Sequence, residues 1–273
     1  MSLYFRQNRV PIRISGADAS KLLNSTLSAD FIKGEKTPLW WALLSPQGKI
    51  QAEGLAIYFD KAFWLDVHIS IKNAFLKRMS LYKMRSEVEI TDLSESHKIG
   101  FCSKNPNLDI SFKDPRHKNL GFQIIATKEK TNNWLNDDIF TTLRIKAGVS
   151  ELGEDFEPDK YFPHDIGMDI LKAVDFSKGC YIGQEIVSRM QHKAEIRRRP
   201  MLVSNIEAQK GTKIEIDNKQ VGIIGQVANN QAIGFVRIDK INNIDTVKIN
   251  DKPVQLALPD WAYYHLAKES NIK

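Results

Sequence analysis

The residues with the clearest capacity for chemistry lie in one short segment around Cys180. This residue is one of only two cysteines in the chain and follows Lys178 by two positions. Ile182, Ile186 and Met190 recur every four residues, a spacing that predicts a helix beginning just after Cys180. A thiol at a helix N-terminus beside a lysine is favoured as the thiolate, the nucleophilic form of cysteine. Cys180 and Lys178 are therefore candidate catalytic residues.

The simplest alternative for Cys180 is a packing role, because free cysteines are most often small buried hydrophobes. The residues alone leave these two roles equally open. Cys102 lies between Phe101 and Ser103 in an apolar stretch, so we expect it in the core. Neither cysteine has a partner at the spacing of a metal site, and no C-x-x-C or H-E-x-x-H pattern occurs. A tight zinc or cluster site within this chain alone is not expected.

Composition and charge are those of an ordinary globular protein. Of 273 residues, 42% are hydrophobic and 26% charged, and 39 Lys and Arg against 33 Asp and Glu give a net charge of +6. Such a chain can bury a core, as one large domain or two small ones. We find no apolar run of the ~18 residues that a membrane helix needs, no signal-peptide pattern and no disulfide framework. We expect a cytoplasmic protein with no membrane partner.

Hydrophobic spacing predicts mixed α and β structure in the first half of the chain. Val10, Ile12 and Ile14 alternate as in a strand, and apolar pairs at helical spacing follow. Further strands are predicted at 40–44, 50–59, 63–67, 99–101 and 122–126, and further helices at 71–79 and 134–147. The turn Ser45-Pro46-Gln47-Gly48 carries proline early and glycine late, which predicts that it joins the first two of these strands as a hairpin. Residues 104–119 are predicted to be a loop.

The second half changes in character along its length. Residues 149–170 lack a clean period, and a long irregular segment of this kind is usually functional or a linker. From Pro200 onward, short β-rich runs separated by Gly and Asn indicate a small β-barrel. We therefore expect an α+β body over residues 1–199 and a C-terminal β-barrel over residues 200–273.

The segment from Lys178 to Glu185 reads K-G-C-Y-I-G-Q-E and resembles the signature of the YgfZ family. Members of this family are folate-binding proteins that act in iron–sulfur cluster assembly or repair. They are related to the glycine-cleavage T-protein, an aminomethyltransferase. Weaker similarity covers nearly the whole chain and is carried by Gly16-Ala17-Asp18, Leu44 to Lys49, Arg144 with Gly148, Phe162-Pro163-His164-Asp165 and Pro259-Asp260-Trp261.

The resemblance implies a fold, a ligand and several site residues. The fold is a T-protein-like α+β folate-binding body with a central channel and a C-terminal β-barrel, and the ligand is tetrahydrofolate or a derivative. In T-proteins a carboxylate after a proline binds the pterin ring, and Asp165 matches it here, where glutamate is more usual. A carboxylate can accept two hydrogen bonds from an aminopyrimidine edge. Tyr181 would stack on the pterin or pack in the core, and Arg144 is a further candidate for the folate site.

Two departures separate this chain from the aminomethyltransferases. T-proteins carry two aspartates in the hairpin that here contains Ala52-Glu53, and one of those acids takes part in the transfer. They also have an acid where Cys180 stands. The resemblance therefore does not favour aminomethyl transfer, and Glu53 is most simply a solvated strand residue.

Charged residues within and after the motif add candidates for the folate site. Gln184 and Glu185 fall in the predicted first helical turn, where they would either cap the helix or contact the ligand. Arg189 and the basic residues that follow it suit the carboxylates of a folate glutamate tail. For residues 197–199 we prefer the alternative to ligand contact, in which they form a solvated, basic connecting segment. RNA contact is not favoured, because no aromatic residues that could stack on bases interrupt this run.

Three hypotheses follow from the sequence and its resemblance. The first is a tetrahydrofolate-binding factor that supports assembly or repair of iron–sulfur clusters, with Cys180 as an exposed thiol and iron–sulfur client or assembly proteins as partners. The second is a folate-dependent one-carbon transferase. The third is an RNA- or protein-binding module that has kept the fold without the ligand.

Overall fold

The structure is a computed structural model that describes residues 2–136 and 138–266. Within these residues the α-helices are α1 (Ala19–Thr26), α2 (Lys72–Lys83), α3 (Ile139–Lys146) and α4 (Gln184–Lys193). The strands are β1 (Tyr4–Phe5), β2 (Arg9–Ser15), β3 (Leu39–Leu44), β4 (Ile50–Phe59), β5 (Ala62–His68), β6 (Glu89–Asp92), β7 (His97–Cys102), β8 (Ile110–Lys113), β9 (Phe122–Thr127), β10 (Arg198–Ser204), β11 (Lys213–Ile216), β12 (Lys219–Ala228), β13 (Gln231–Arg237), β14 (Lys248–Ile249), β15 (Lys252–Pro253) and β16 (Gln255–Ala257). None of the helices in these two ranges has both the length and the hydropathy needed to cross a bilayer.

The first sheet of the body contains five antiparallel strands in the order β3-β4-β5-β2-β6. Val10, Ile12 and Ile14 are buried in β2, which pairs with β5 along its whole length, so the predicted strand is confirmed. The hairpin is confirmed as well, because β3 pairs with β4 and the N–H of Gly48 donates to the carbonyl of Ser45 over 2.8 Å. The helices predicted after β2 and β5 form as α1 and α2.

The second sheet, in the order β1-β7-β9-β8, corrects two predicted elements. The segment predicted as a loop contains β8, which pairs with β9. The helix predicted to start at Trp134 begins only at Ile139. The Asp138 carboxylate caps it there by accepting a hydrogen bond from Thr141 N–H, while the Trp134 ring packs on the backbone of Gly100.

The C-terminal strands form a nearly closed antiparallel barrel in the order β15-β14-β11-β12-β13-β10-β16, as the runs of short β segments predicted. Its first strand begins at Arg198, close to the expected domain boundary. Ile233 and Phe235 on β13 belong to the same buried apolar cluster as the core of the body. One side of β13 therefore packs into the core of the body, while the barrel also has a separate apolar core that includes Met201, Ile214 and Ile224.

Two buried arginines also fasten the barrel to the body. Arg199 on β10 binds both carboxylate oxygens of Asp169, at 2.7 and 2.9 Å. The solvated role predicted for this residue is wrong, because Arg199 is buried, whereas Arg197 is exposed and Arg198 is half-buried. Arg144 on α3 is fully buried and donates to the Asp155 carboxylate and, over 2.8 Å, to Gln226 on β12.

Glu53 lies in the centre of the body and has no exposed surface. Its Oε1 accepts from the Arg9 guanidinium over 2.8 Å and from Leu152 N–H over 3.3 Å, and its Oε2 accepts from the Trp40 indole N–H over 2.7 Å. Arg9 also binds the Asp66 carboxylate, with its closest contact at 2.8 Å. The solvated role predicted for Glu53 is therefore wrong. Its negative charge is stabilised by hydrogen-bond donors that are distant in sequence.

A second acid extends this ion network to the irregular segment after α3. The Glu151 carboxylate accepts from Arg6 at 2.6 Å and from Arg116 at 2.5 Å. Burial alone would raise the pKa of Glu151, but the surrounding guanidinium groups outweigh it and hold the pKa well below its ordinary value. The buried acids and arginines therefore neutralise one another, which permits burial of so many charges.

We expect Glu53→Gln to lower the free energy of unfolding by about 3–5 kcal/mol, because it removes one of the two carboxylates that neutralise the buried Arg9 guanidinium. Urea unfolding followed by tryptophan fluorescence measures the change. The matched control is Glu95→Gln, since Glu95 is 96% exposed and its pair with Lys128 spans 3.5 Å. That variant should change stability by less than about 0.5 kcal/mol. Equal losses in the two variants would contradict the importance of the buried charge.

Candidate functional site

The motif around Cys180 forms a loop that precedes α4. The helix begins at Gln184 rather than just after Cys180, and its N-cap residue is Gly183. Gly183 adopts a φ of +79°, and this left-handed conformation marks where the helix starts. Cys180 therefore lies outside the first helical turn, contrary to prediction, so the argument for a thiolate from the helix N-terminus does not hold.

Asp175 shapes the start of this loop. Its Oδ1 accepts hydrogen bonds from the N–H and hydroxyl of Ser177, both at 2.7 Å, and from the N–H of Lys178 at 3.0 Å. Partial burial would raise the pKa of Asp175, but these hydrogen bonds outweigh it and lower the pKa. The carboxylate thus fixes the backbone that leads into the motif.

The Lys178 side chain ties the loop to the C-terminal end of α1. Its ammonium group donates to the carbonyls of Asn24 and Ala29, both at 2.7 Å, and to that of Leu27. It also lies 4.6 Å from the centre of the Tyr181 ring. Burial lowers the pKa of Lys178 to about 8, against the opposing effect of nearby carboxylates. The structure thus commits this ammonium to backbone carbonyls, an anchoring role that the sequence did not predict.

Tyr181 and Gln184 hold the other side of the loop. The Tyr181 ring is buried in the core of the body, and burial raises the pKa of its hydroxyl. That hydroxyl has no hydrogen-bond partner among the described residues. Gln184 Oε1 accepts from the N–H of Tyr181 over 3.3 Å, which is the capping alternative considered for Gln184. Both residues therefore have structural roles.

The two glycines of the motif differ in what the fold requires of them. A Cβ at Gly183 would lie 2.5 Å from the carbonyl oxygen of Ser45, so glycine is needed where α4 meets the β3–β4 turn. On the other side of this contact, Gly48 adopts a φ of +77° and packs against Ile186. A Cβ at Gly179 would meet no atom within 4 Å. Packing therefore explains Gly183 but not Gly179.

The two cysteines have opposite environments. Cys180 is exposed, between the anchored side chains of Lys178 and Tyr181. Cys102 is buried in β7, as predicted, and its thiol donates to the carbonyl of Lys104 over 2.8 Å. Cys180 is therefore the thiol that an external reactant can reach.

Asp165 lies in a short 3-10 helix, Pro163–Ile166, where it is buried. Its Oδ2 accepts from the N–H of Phe162 over 3.0 Å and lies 3.8 Å from the guanidinium of Arg198, whereas Oδ1 has no hydrogen bond from any described residue. Burial raises the pKa of Asp165 although the Phe162 N–H and nearby cations oppose the shift. The carboxylate thus keeps capacity to accept further hydrogen bonds.

His164, next to Asp165, links this helix to α4. Its Nε2 lies 3.0 Å from Oε1 of Gln191, and its ring lies 6.0 Å from that of Phe176, which belongs to the motif loop. Burial lowers the pKa of His164, so the neutral ring is favoured. The structure thus brings the segment of Asp165, the β3–β4 turn and the motif together around α4.

Aromatic and basic side chains surround Asp165 in a way that the sequence analysis did not identify. The Lys49 ammonium lies 3.4 Å from the centre of the Phe162 ring, and the Arg198 guanidinium lies 5.4 Å from that of Tyr161. Both rings are partly exposed. Lys49 and Arg198 belong to segments already noted in the sequence, but only the fold places them beside Tyr161 and Phe162.

Three predicted site residues have other partners in the structure. Arg144 is enclosed in the junction of body and barrel and directs its donors to protein acceptors. Glu185 and Arg189 are exposed on α4 and pair with each other at 3.0 Å. This exposed pair is accessible to a ligand tail, whereas Arg144 is buried and is not accessible.

Comparison with known proteins adds relatives of this chain and a related fold. Residues 197–264 match the family of the CAF17 C-terminal β-barrel domain. The chain is 25% identical over 213 residues to the mitochondrial iron–sulfur cluster assembly factor IBA57 homologue of Pyricularia oryzae, a match that covers 71% of this chain and 54% of that protein. It is 26% identical over 245 residues to the tRNA-modifying protein YgfZ of Buchnera aphidicola, covering 77% and 76%. The resemblance to the YgfZ family is confirmed.

The fold of this chain is that of the T-proteins. The aminomethyltransferase T of the glycine cleavage system from Bartonella henselae superposes with a TM-score of 0.74 over 97% of this chain and 87% of that one, at 14% identity. The predicted T-protein-like fold is thus confirmed. The chain spans about half the length of the IBA57 homologues that it matches.

We expect Lys178→Met to loosen the motif loop and to lower the free energy of unfolding by about 2–3 kcal/mol, because buried carbonyls would lose a charged donor. Hydrogen exchange should accelerate in residues 177–183 and in the segment after α1. Lys36→Met is the control, since Lys36 is exposed and makes no ion pair in the described residues. Unchanged exchange in the loop would contradict the anchoring role of Lys178.

Proposed function

We propose that this chain supports the assembly or repair of iron–sulfur clusters, with a reduced folate as ligand and Cys180 as the reactive thiol. The observation that carries the proposal is the setting of Cys180, an exposed thiol on a loop that is fixed on both sides. The names of the IBA57 and YgfZ relatives support a role in iron–sulfur assembly or in a linked tRNA modification. The partners are then iron–sulfur client or assembly proteins.

The loop around Cys180 has the properties expected of a contact point. Its neighbours Lys178 and Tyr181 are anchored in the body, so the position of the thiol is defined before a partner binds. Gly179 leaves open space beside the thiol although packing does not require glycine there. We infer that the missing side chain admits the approaching reactant. A thiol displayed in this way does not serve the packing of the core.

A single cysteine, which loses its proton on binding a metal, suits transient ligation of iron. Thiolate sulfur is the usual ligand of iron–sulfur clusters, and such clusters generally take four protein ligands. Cys102 is buried, so this chain offers one accessible cysteine sulfur. In this proposal Cys180 ligates the cluster or its iron only during transfer, and the client protein provides the remaining ligands.

The surroundings of Asp165 fit a reduced folate. The carboxylate is buried and retains an oxygen without a hydrogen bond, as the aminopyrimidine edge of a pterin requires. The partly exposed rings of Tyr161 and Phe162 offer flat apolar surface on which a pterin can stack. A bound tetrahydrofolate would supply an acceptor for one-carbon units. The chain's own residues would bind and orient it.

The environment of Glu53 argues against the transferase alternative. By resemblance, Glu53 occupies the region of the acids that act in T-proteins, but both of its oxygens are already bound by Arg9, Trp40 and a backbone N–H. A carboxylate held in this way has no oxygen left to contact a substrate. The binding-module alternative would gain weight if the protein failed to bind folate and instead bound RNA in a salt-dependent manner.

We expect wild-type protein to bind tetrahydrofolate in calorimetric titrations under reducing conditions. Asp165→Asn should weaken binding by roughly tenfold or more, because a charged acceptor is lost. Affinity of the wild type should fall as the pH is lowered, starting above the ordinary range of an aspartate, since burial raises the pKa of Asp165. The Asn variant lacks this titrating group and should have a flatter profile. Equal affinity and equal pH dependence would remove Asp165 from the folate site.

We expect Cys180→Ala to abolish support of iron–sulfur enzymes in cells that depend on this protein, while leaving tetrahydrofolate binding intact. Cys102→Ala is the matched control and should retain function, because its thiol is buried. In the native protein, a maleimide should modify Cys180 and spare Cys102. Full enzyme activity with Cys180→Ala would refute the thiol mechanism without affecting the folate proposal.

A further inference from the structure

Helix α2 has an outward side that packs against no other part of the described chain. Its inward side buries Phe75 and Met79, and the Phe75 ring lies 5.2 Å from that of Trp41. On the outward side Leu81 is 66% exposed, and Met84, directly after the helix, is 84% exposed. Exposed single apolar residues are common, but two within one turn form a small apolar centre.

Positive charge flanks this apolar centre in the sequence. Lys77 and Arg78 precede Leu81 by about one turn, and Lys83 and Arg85 follow it. These four cations make no ion pair and no side-chain hydrogen bond with any described residue. Between residues 67 and 86 the chain contains no Asp or Glu. The name α2 patch is used below for six residues: Lys77, Arg78, Leu81, Lys83, Met84 and Arg85.

The backbone at the end of the α2 patch is strained. Met84 adopts a φ of +45° and a ψ of −110°, a conformation that residues other than glycine rarely take. Such a conformation costs free energy, and it persists only where the surrounding structure enforces it. Here it holds a large apolar side chain in solvent, beside Arg85. Methionine and arginine are both enriched in protein interfaces.

We propose that the α2 patch docks a helix of a partner protein, in which acidic residues flank an apolar residue at a spacing of one turn. The apolar residue would cover Leu81 and Met84, and the acids would pair with the cations on either side. This arrangement places an apolar centre inside a charged rim, as in the energetically important part of many interfaces. The site is independent of Asp165 and Cys180 and goes beyond the proposed function.

Other occupants match the α2 patch less well. Within the described residues a second copy of this chain offers no complementary helix, because α1, α2 and α3 contain no acid and α4 contains only Glu185. Nucleic acid would pair with the cations but would leave the apolar residues without a partner, and the aromatic residues of α2, Phe75 and Tyr82, are buried or half-buried. Acidic protein therefore fits both the charge and the apolar character.

The probe is a fluorescein-labelled, alanine-based helical peptide of about 20 residues, long enough to form a helix in water. It carries leucine with glutamate four residues before and after it. Fluorescence anisotropy should detect binding by the full chain, with a Kd of about 100 µM or below, and weaker binding at high salt. Two further peptides replace the glutamates by lysine or the leucine by serine, and both should bind at least roughly tenfold more weakly.

Variants of the protein assign the binding to the α2 patch. Leu81→Ser should weaken binding of the acidic peptide by roughly tenfold, and Lys77→Glu with Arg85→Glu should abolish it while creating affinity for the lysine peptide. Ile32→Ser, at an apolar residue that is 62% exposed elsewhere, should change nothing. All variants should keep tetrahydrofolate binding, so failure here is distinct from failure of the folate proposal.

Several results would overturn the proposal. Equal binding of the leucine and serine peptides would mean that charge alone is recognised. Absence of any binding by the wild type would reject an acidic helix as the occupant. Binding of single-stranded RNA or of vesicles rich in anionic lipid that depends on Lys77 and Arg85, in place of peptide binding, would assign the surface to those ligands instead.

Discussion

The buried ion network around Arg9 is the interaction on which the rest of the body depends. Arg9 on β2 joins Glu53 on β4 to Asp66 on β5, and Glu151 extends the same network beyond α3. Each of these charges would be costly to bury alone, so the strands that carry them must assemble in one register. That register sets the β3–β4 turn, against which Gly183 and hence the motif loop are packed. The position of the Cys180 thiol therefore follows from charges far away in sequence.

The sequence predicted elements whose signals are local. Alternation in β2, the turn with Pro46 and Gly48, and the short β runs of the barrel each depend on neighbouring residues, and the structure has them all. It could not predict the burial of Glu53, because a carboxylate on a strand becomes buried only when distant donors reach it. The start of α3 is set by the cap at Asp138. This signal is local, but the prediction followed the hydrophobic spacing and placed the start too early.

The candidate site likewise contains residues that the sequence identified and residues that it did not. The motif identified Cys180, whose exposure the structure supports, and resemblance singled out Asp165, whose carboxylate is buried with one oxygen not hydrogen-bonded. The role of Lys178 was missed, because its partners are backbone carbonyls and no sequence pattern marks a carbonyl as an acceptor. Tyr161 was missed for a related reason: its relation to Arg198 arises from the way the barrel meets the body.

The contact between Lys178 and α1 also determines when the thiol acquires its setting during synthesis. The carbonyl of Asn24 lies 154 residues before the ammonium that binds it. The loop can close only after the chain beyond Lys178 has left the ribosome, when the strands of the body are already available to pair. A truncated nascent chain that ends before this point lacks both the anchor and Cys180. The protein thus presents the exposed sulfur of Cys180 in a fixed position only once the body that supports it is complete.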